Sequence, residues 1–281
     1  VSGQSRVAYL GPAGTFTEDA LRDAAPDGDF EPMRTSTVYD AILAVEKGEA
    51  DRAFVPFENS IEGSVRSTLD TLAFEAEAVT IVGEYDFTVH AHLIVREPVD
   101  LSQIEAVLSH PQPLAQCARY LRDQLPGVER RSVSSTAAAV RMVGESSRPW
   151  AALGARSAAA FYDCTILSED VEDEPDNVTR FVWIAPIGTE PSGVGQWKTS
   201  LVFSELGEDH PGALVEALQE FSSRDINLSR IESRPLRQGL GRYMFFCDLE
   251  GGLDDEVLSE AIAQLKTKAD SVRILGSYPL G

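Results

Sequence analysis

The sequence predicts an α/β protein in two parts: a large domain of two sheet-and-helix lobes, then a small domain with the order βαββαβ. Three observations predict it. Short apolar runs alternate with helical-period stretches over residues 1–187. A segment rich in Gly, Pro and Ser, from Pro186 to Gly195, has little to bury. Beyond it, strand and helix patterns follow once more in a compact series.

Val7-Ala8-Tyr9-Leu10 reads as a buried strand, and Gly11-Pro12-Ala13-Gly14 as the turn after it. A helix over about Thr17–Ala25 and a strand near Met33 come next. Ile42, Leu43 and Val45 sit at helical spacing within Val38–Lys47, a helix closed by Gly48. Arg52-Ala53-Phe54-Val55 is a strand ending at Pro56. This rhythm argues for a mostly parallel sheet with helices on both faces.

A second set starts with the β-rich stretch Val79–Val95. Strand Ala106-Val107-Leu108, helix Pro113–Gln124, a strand near Val133, helix Thr136–Val143, strand Trp150–Leu153 and helix Arg156–Tyr162 follow. After an acidic stretch, Phe181–Ala185 is the last strand. Two lobes joined by crossing strands near Val79–Val95 enclose a cleft, and the last strand returns to the first lobe. The chain thus divides into 1–187, a linker over 188–197, and 198–281. In the last part the pattern reads β (Thr199–Phe203), α (Pro211–Phe221), β (Ile226–Arg234), β (Arg242–Leu249), α (Asp254–Lys266), β (Ser271–Tyr278). Gly239 and Gly241 suit the hairpin between the central strands. This is the ferredoxin-like order, which by itself carries no function.

Composition bounds the partners. The net charge of -21 argues against a nucleic-acid surface and against an anionic membrane. A small anion is still compatible, provided local arginines and backbone N–H groups hold it. Three scattered cysteines, Cys117, Cys164 and Cys247, fit buried thiols in a reducing compartment. With no signal peptide and no membrane-length apolar run, the expected location is cytoplasmic.

Four segments share one position, where a strand ends and a polar turn opens a helix: Gly11–Phe16, Pro56–Ser60, Ser109–Gln112 and Ser134–Thr136. Helix N-termini present unpaired N–H groups and attract anions. Capping alone explains any one of them. Four at the carboxyl ends of strands favour a shared crevice. Asn177-Val178-Thr179-Arg180-Phe181 follows the acidic run Glu169–Glu174, which reads as a solvated loop. The Thr-Arg pair is either an ordinary strand start or a hydroxyl and guanidinium aimed into the cleft. His110 either orients its turn or transfers protons. His90 and His92 alternate on a strand without an acidic or cysteine neighbour in sequence, so a metal reading is weak. Cys117 reads as a core residue within a helix. No phosphate-binding loop, dinucleotide fingerprint or nucleophile elbow is present.

These segments carry a resemblance. Gly11-Pro12-Ala13-Gly14-Thr15-Phe16-Thr17-Glu18, Pro56-Phe57-Glu58-Asn59-Ser60 with Gly63 and Val65, Ser109-His110-Pro111-Gln112, Ser135-Thr136-Ala137 and Asn177-Val178-Thr179-Arg180-Phe181 resemble the successive signatures of prephenate dehydratases, in family order. Phe57 stands where the family usually has isoleucine. Gly212-Ala213-Leu214-Val215 and Glu232-Ser233-Arg234-Pro235 are similar to the two effector-site motifs of that family's ACT domain. No chorismate mutase segment is visible before Val7, so a monofunctional chain is expected.

The resemblance implies a two-lobed catalytic domain like periplasmic binding proteins, followed by a regulatory ACT domain. It implies conversion of prephenate to phenylpyruvate with loss of carbon dioxide and the ring hydroxyl. Aromatisation drives that reaction, so neither a metal nor another cofactor is expected. Thr179 takes the leaving-group role, Arg180 a substrate carboxylate, and Asn59, Ser60 and Gln112 complete the catalytic set. Thr15, Phe181, Glu58, His110 and Ser109 line the cleft, with helix N-termini at Ser60 and near Gln112 for the second carboxylate. Phenylalanine is the implied effector, held by Gly212, Ala213, Leu214 and Val215 and, across a subunit interface, by Glu232, Ser233, Arg234 and Pro235. A homodimer or homotetramer is expected. Arogenate dehydratase, with the same chemistry, and a non-catalytic amino-acid-binding regulator are the alternatives.

Overall fold

The computed structural model describes residues 4–26, 28, 30–206 and 210–280. The polar start at Val1-Ser2-Gly3 and the final Gly281 lie outside the described residues. By compactness the chain divides into Val1–Thr68 with Asp86–Phe181, and Leu69–Tyr85 with Val182–Gly281.

The first unit opens with β1 (Ser5–Leu10), α1 (Phe16–Ala24), β2 (Phe30–Thr35), α2 (Val38–Glu46) and β3 (Arg52–Asn59). β1 pairs in parallel with β2 on one side and β3 on the other. Its Val7, Ala8 and Tyr9 are buried, as a strand covered on both faces requires. Thr15 caps α1 by accepting the Glu18 N–H at 3.3 Å, and Thr37 caps α2 by accepting that of Asp40 at 3.0 Å.

β3 does not stop at Pro56. Its pairing with β1 ends at Phe54, so the proline removes no hydrogen bond from that ladder. The strand runs on to Asn59, β4 (Gly63–Ser64) folds back against it, and α3 (Arg66–Phe74) begins only at Arg66. Ser60 therefore sits in a hairpin turn, and no helix N-terminus forms there, contrary to the sequence reading.

The Val79–Val95 stretch is two strands, β5 (Val79–Thr88) and β6 (His92–Val95). Between them the Val89 N–H donates to the Asn177 carbonyl at 2.8 Å. β6 belongs to a second sheet with β7 (Ala106–Ser109), which α4 (Pro111–Gln116) and α5 (Ala118–Gln124) follow. β8 (Glu129–Ser132), α6 (Thr136–Glu145), β9 (Trp150–Gly154), α7 (Arg156–Phe161) and β10 (Thr165–Ser168) complete it. The strand order is β10–β6–β9–β7–β8. Leu93, Val107 and Leu153 pack with Leu114 and Leu121 on one face; Ile94, Leu108 and Ala152 pack with Val140 and Val143 on the other. This two-sided burial explains the continuous apolar runs. The predicted helix Pro113–Gln124 is broken at Cys117. Burial, with the charges of Asp173 and Glu172, pushes that thiol up to about 12.

β11 (Val178–Pro186) returns to the first sheet beside β3, as expected, but begins before Phe181, so Thr179 and Arg180 lie within it. Residues 187–196 carry neither helix nor strand.

The second unit holds β12 (Trp197–Ser204), α8 (Ala213–Ser222), β13 (Leu228–Pro235), β14 (Tyr243–Glu250), α9 (Glu256–Leu265) and β15 (Ser271–Pro279). The sheet order β13–β14–β12–β15 is the ferredoxin-like one. Leu201, Phe203, Cys247 and Leu249 pack against Phe221, Leu258 and Ile262 of the two helices. Beyond β15 lies β5, parallel, with Gly276 opposite Ile81. A Cβ at Gly276 would collide with the Ile81 backbone, so glycine is needed for that approach. No described helix is long and apolar enough to cross a membrane.

Candidate active site

The end of β3 and the start of β11 are tied together by their own side chains. Ser60 N–H donates to the Val178 carbonyl at 2.8 Å, and Val178 N–H donates to Ser60 Oγ at 3.0 Å. Asn59, buried beside them, has a fixed orientation. Its Oδ1 accepts the N–H groups of Ile61 and Glu62, both at 3.0 Å, shaping the turn that follows. Its Nδ2 must then be the donor end, and it reaches Asn177 Oδ1 at 2.7 Å, Thr179 Oγ1 at 2.9 Å and the Val178 carbonyl at 3.2 Å. Because Thr179 Oγ1 accepts from Asn59, the threonine's own proton is available for another acceptor.

Arg180 follows Thr179 directly along β11. Its side chain is only 11% exposed; Nη2 lies 3.2 Å from Glu58 Oε2, and the guanidinium sits 4.9 Å over the Phe57 ring. Phe181 stacks on Phe54 at 4.8 Å between ring centroids, nearly parallel, and is buried. The structure thus brings together Glu58, Asn59, Ser60, Thr179, Arg180 and Phe181.

Thr15, Ser109, His110 and Gln112 make their hydrogen bonds elsewhere. Thr15 caps α1, and its hydroxyl reaches the Leu10 carbonyl at 3.3 Å. Gly14 before it has φ +77, and a Cβ there would stand 2.8 Å from Ala158, so α7 closes directly on this turn. Burial opposes the charge of Glu18, but hydrogen bonds from Arg22 and the Gly14 N–H, with the Arg34 charge, hold its carboxyl below the usual range. Ser109 is fully buried and its hydroxyl donates to the Leu153 carbonyl at 2.8 Å. His110 is the N-cap of α4, with Nδ1 accepting the Gln112 N–H at 3.4 Å. That geometry suits a turn-orienting residue.

Three features escape the sequence reading. Gln116, one turn beyond Gln112 on α4, accepts from Asn177 Nδ2 at 3.4 Å through its Oε1. Its Nε2 is buried and, among the described residues, without a hydrogen-bond partner. The acidic run is not a solvated loop throughout. Asp173 accepts the Arg119 N–H at 2.9 Å and that of Tyr120 at 3.3 Å, capping α5. Glu172 accepts the Ala91 N–H at 2.9 Å and meets His90 Nδ1 at 2.8 Å. His90 therefore does have acidic partners, supplied from 82 residues away. His90, Asp170 and Glu172 place ligand-type atoms within 4.8 Å of one another, the described cluster most like a metal site.

Residues 7–187 match the family model described as prephenate dehydratase. The chain belongs to that family. Residues 205–267 match the ACT domain model. The prephenate dehydratase of Mycolicibacterium smegmatis is 42% identical over 284 residues, covering 98% of this chain and 90% of that protein. Among solved structures, the Arthrobacter aurescens prephenate dehydratase in complex with L-Phe has a TM-score of 0.89 at 41% identity, covering 97% of this chain and 89% of that one. A structure described as a novel type of quorum quenching acylase, GqqA, has a TM-score of 0.87 at 29% identity, covering 98% of both chains.

In the ACT domain of this prephenate dehydratase family member, Gly212 precedes α8 with φ +103. Ala213 and Leu214 line a pocket of about 350 Å³ with Glu205, Leu236, Arg242 and Tyr243, while Val215 is exposed. Glu232-Ser233-Arg234-Pro235 ends β13, the edge strand. Arg234 forms a bidentate pair with Asp70 of α3, Nε to Oδ1 at 3.0 Å and Nη2 to Oδ2 at 2.8 Å, and Arg237 adds a bond to Oδ2 at 3.0 Å. Arg234, an expected effector ligand, thus already has a carboxylate partner within its own chain.

Proposed function

We propose that this chain converts prephenate to phenylpyruvate and that phenylalanine controls it through the C-terminal segment. The observation that carries the reading is the polarity of the Asn59–Thr179 pair, which leaves the threonine O–H free beside a largely buried guanidinium. The reaction breaks the bond between the ring and its carboxylate, which departs as carbon dioxide. That electron pair enters the ring, the ring hydroxyl leaves with its own pair, and one proton converts it to water.

Thr179 donates a hydrogen bond to the departing oxygen, and proton transfer is concerted with aromatisation or relayed through it. A positioned donor of this kind contributes about 10²–10⁴-fold. Arg180 pairs with a substrate carboxylate, kept in place by Glu58 and the Phe57 ring. Gln116 offers its Nε2 donor to a second oxygen. Ser60 sits beside them and Phe181 forms the wall, and the family motifs assign Gln112 and Thr15 to the same space. Residues 1–187 form the catalytic part, 188–197 the linker and 198–281 the regulatory part, which assembles as a homodimer or homotetramer. Phenylalanine is the effector, in keeping with the Arthrobacter aurescens complex with L-Phe, and the ACT motifs assign it to Gly212–Val215 and Glu232–Pro235.

The test is direct. Purified protein incubated with prephenate should yield product absorbing in the ultraviolet as the phenylpyruvate enolate in base, and prephenate should exceed arogenate in kcat/KM. A preparation that leaves prephenate unchanged but releases an acyl group from an amide overturns the reading in favour of the acylase chemistry described for GqqA.

A further inference from the structure

Asn177 is 2% exposed and immediately precedes β11, where three parts of the first unit meet. Its carbonyl accepts the Val89 N–H at 2.8 Å, its Oδ1 accepts from Asn59, and its Nδ2 donates to Gln116. The three side-chain amides form a chain with one direction. The N–H groups of Ile61 and Glu62 fix Oδ1 of Asn59 as an acceptor. Asn59 Nδ2 is therefore a donor, which makes Asn177 Oδ1 an acceptor and its Nδ2 a donor. Gln116 Oε1 must accept, and its Nε2 is the end of the chain: a buried donor that no described group receives.

A buried N–H without a partner is costly unless something supplies the acceptor. Reversing any one amide would set two donors or two acceptors against each other, so the direction is held along the whole chain. We infer that Asn177 is a positioning residue that fixes the Gln116 amide with its N–H, rather than its oxygen, facing the substrate. This deepens the proposed dehydratase reading and rests on it. Through Asn59 the same residue also helps keep the Thr179 hydroxyl oriented for donation. A substrate that is a dianion with a departing hydroxyl presents only electron-rich oxygens, so a reversed Gln116 would oppose it. Asn177 need not touch the substrate.

The experiment uses the full chain with Asn177 changed to aspartate. An aspartate still accepts from Asn59 Nδ2 but, when ionised, has no proton for Gln116 Oε1. Gln116 then turns to donate to it and shows its oxygen to the substrate. Phenylpyruvate formation in Asn177→Asp is expected to fall at least tenfold in kcat at pH 8, with the cooperative thermal transition retained. As pH is lowered and Asp at this position takes up a proton, its O–H can again donate to Gln116, so the variant-to-parent activity ratio should rise. A purely structural role predicts a ratio that does not change with pH. If that ratio is flat, or activity at pH 8 is parental, the inference is overturned. Should Asn177→Asp not fold, Asn177→Ser and Gln116→Ala are measured singly and together. The inference predicts that the pair loses no more than about threefold beyond the worse single variant; losses that multiply overturn it. A parental chain that forms no phenylpyruvate overturns the dehydratase reading and this inference with it, whereas an active parent with a flat ratio overturns the inference alone.

Discussion

Asn59 Nδ2 lies 2.9 Å from Thr179 Oγ1, across 120 residues of sequence. The contact orders two neighbouring strands and also decides which way a hydroxyl proton points. Asn59→Asp keeps an acceptor for the Ile61 and Glu62 N–H groups but replaces the donor facing Thr179 with a second acceptor. The threonine proton is then drawn inward. Turnover should fall about 10²-fold, with KM changed far less, as read by steady-state kinetics on prephenate.

Arg180 is boxed between Glu58 and the Phe57 ring. A lysine there keeps the charge but loses the planar fork. Arg180→Lys should therefore raise KM by tenfold or more and lower kcat less. An unchanged KM would remove Arg180 from carboxylate binding.

Asp70 holds Arg234 and Arg237 at once. Burial opposes its charge, yet hydrogen bonds from the two arginines and their positive charges outweigh that and hold the carboxyl below its usual range. A depressed carboxyl stabilises the fold at pH above the unfolded value, and that stability is lost as pH falls through the folded one. Asp70→Asn should cost about 1–3 kcal/mol at pH 7. Its deficit against the parent, measured by urea unfolding, should shrink as the pH is brought down through the carboxylate range.

Gly212 has a left-handed backbone with open space around it. Alanine there strains the chain by about 1 kcal/mol. It also adds a methyl group at the start of α8, where a ligand carboxylate would meet backbone N–H groups. Gly212→Ala should weaken the effect of added phenylalanine on activity while leaving effector-free turnover near parental. An undiminished response would separate this glycine from effector binding.

Much of this was legible because strand, turn and cap residues each report local chemistry. Val7–Leu10 and the turn at Gly11–Gly14 come directly from such signals, as does the βαββαβ series. Long-range partnerships are different. Nothing near His90 in the chain announces Glu172, and nothing in an acidic run separates a cap such as Asp173 from a solvated side chain. Gln112 and Gln116 lie four apart on one helix face, so periodicity cannot show which of them meets Asn177; the folded chain gives that contact to Gln116. The hairpin after Asn59 was misread because Ser60 looks like a helix cap, whereas Asn59 bends the chain by taking two backbone N–H groups for itself. Likewise, nothing near Arg234 in the chain announces its partner Asp70, which belongs to a helix 164 residues earlier.

The most direct measurement is the turnover of Thr179→Ala with prephenate, alongside its thermal unfolding. A loss of a hundredfold or more in kcat with an unchanged transition temperature is the predicted result. Near-parental kcat in the folded variant would contradict the role given to this hydroxyl.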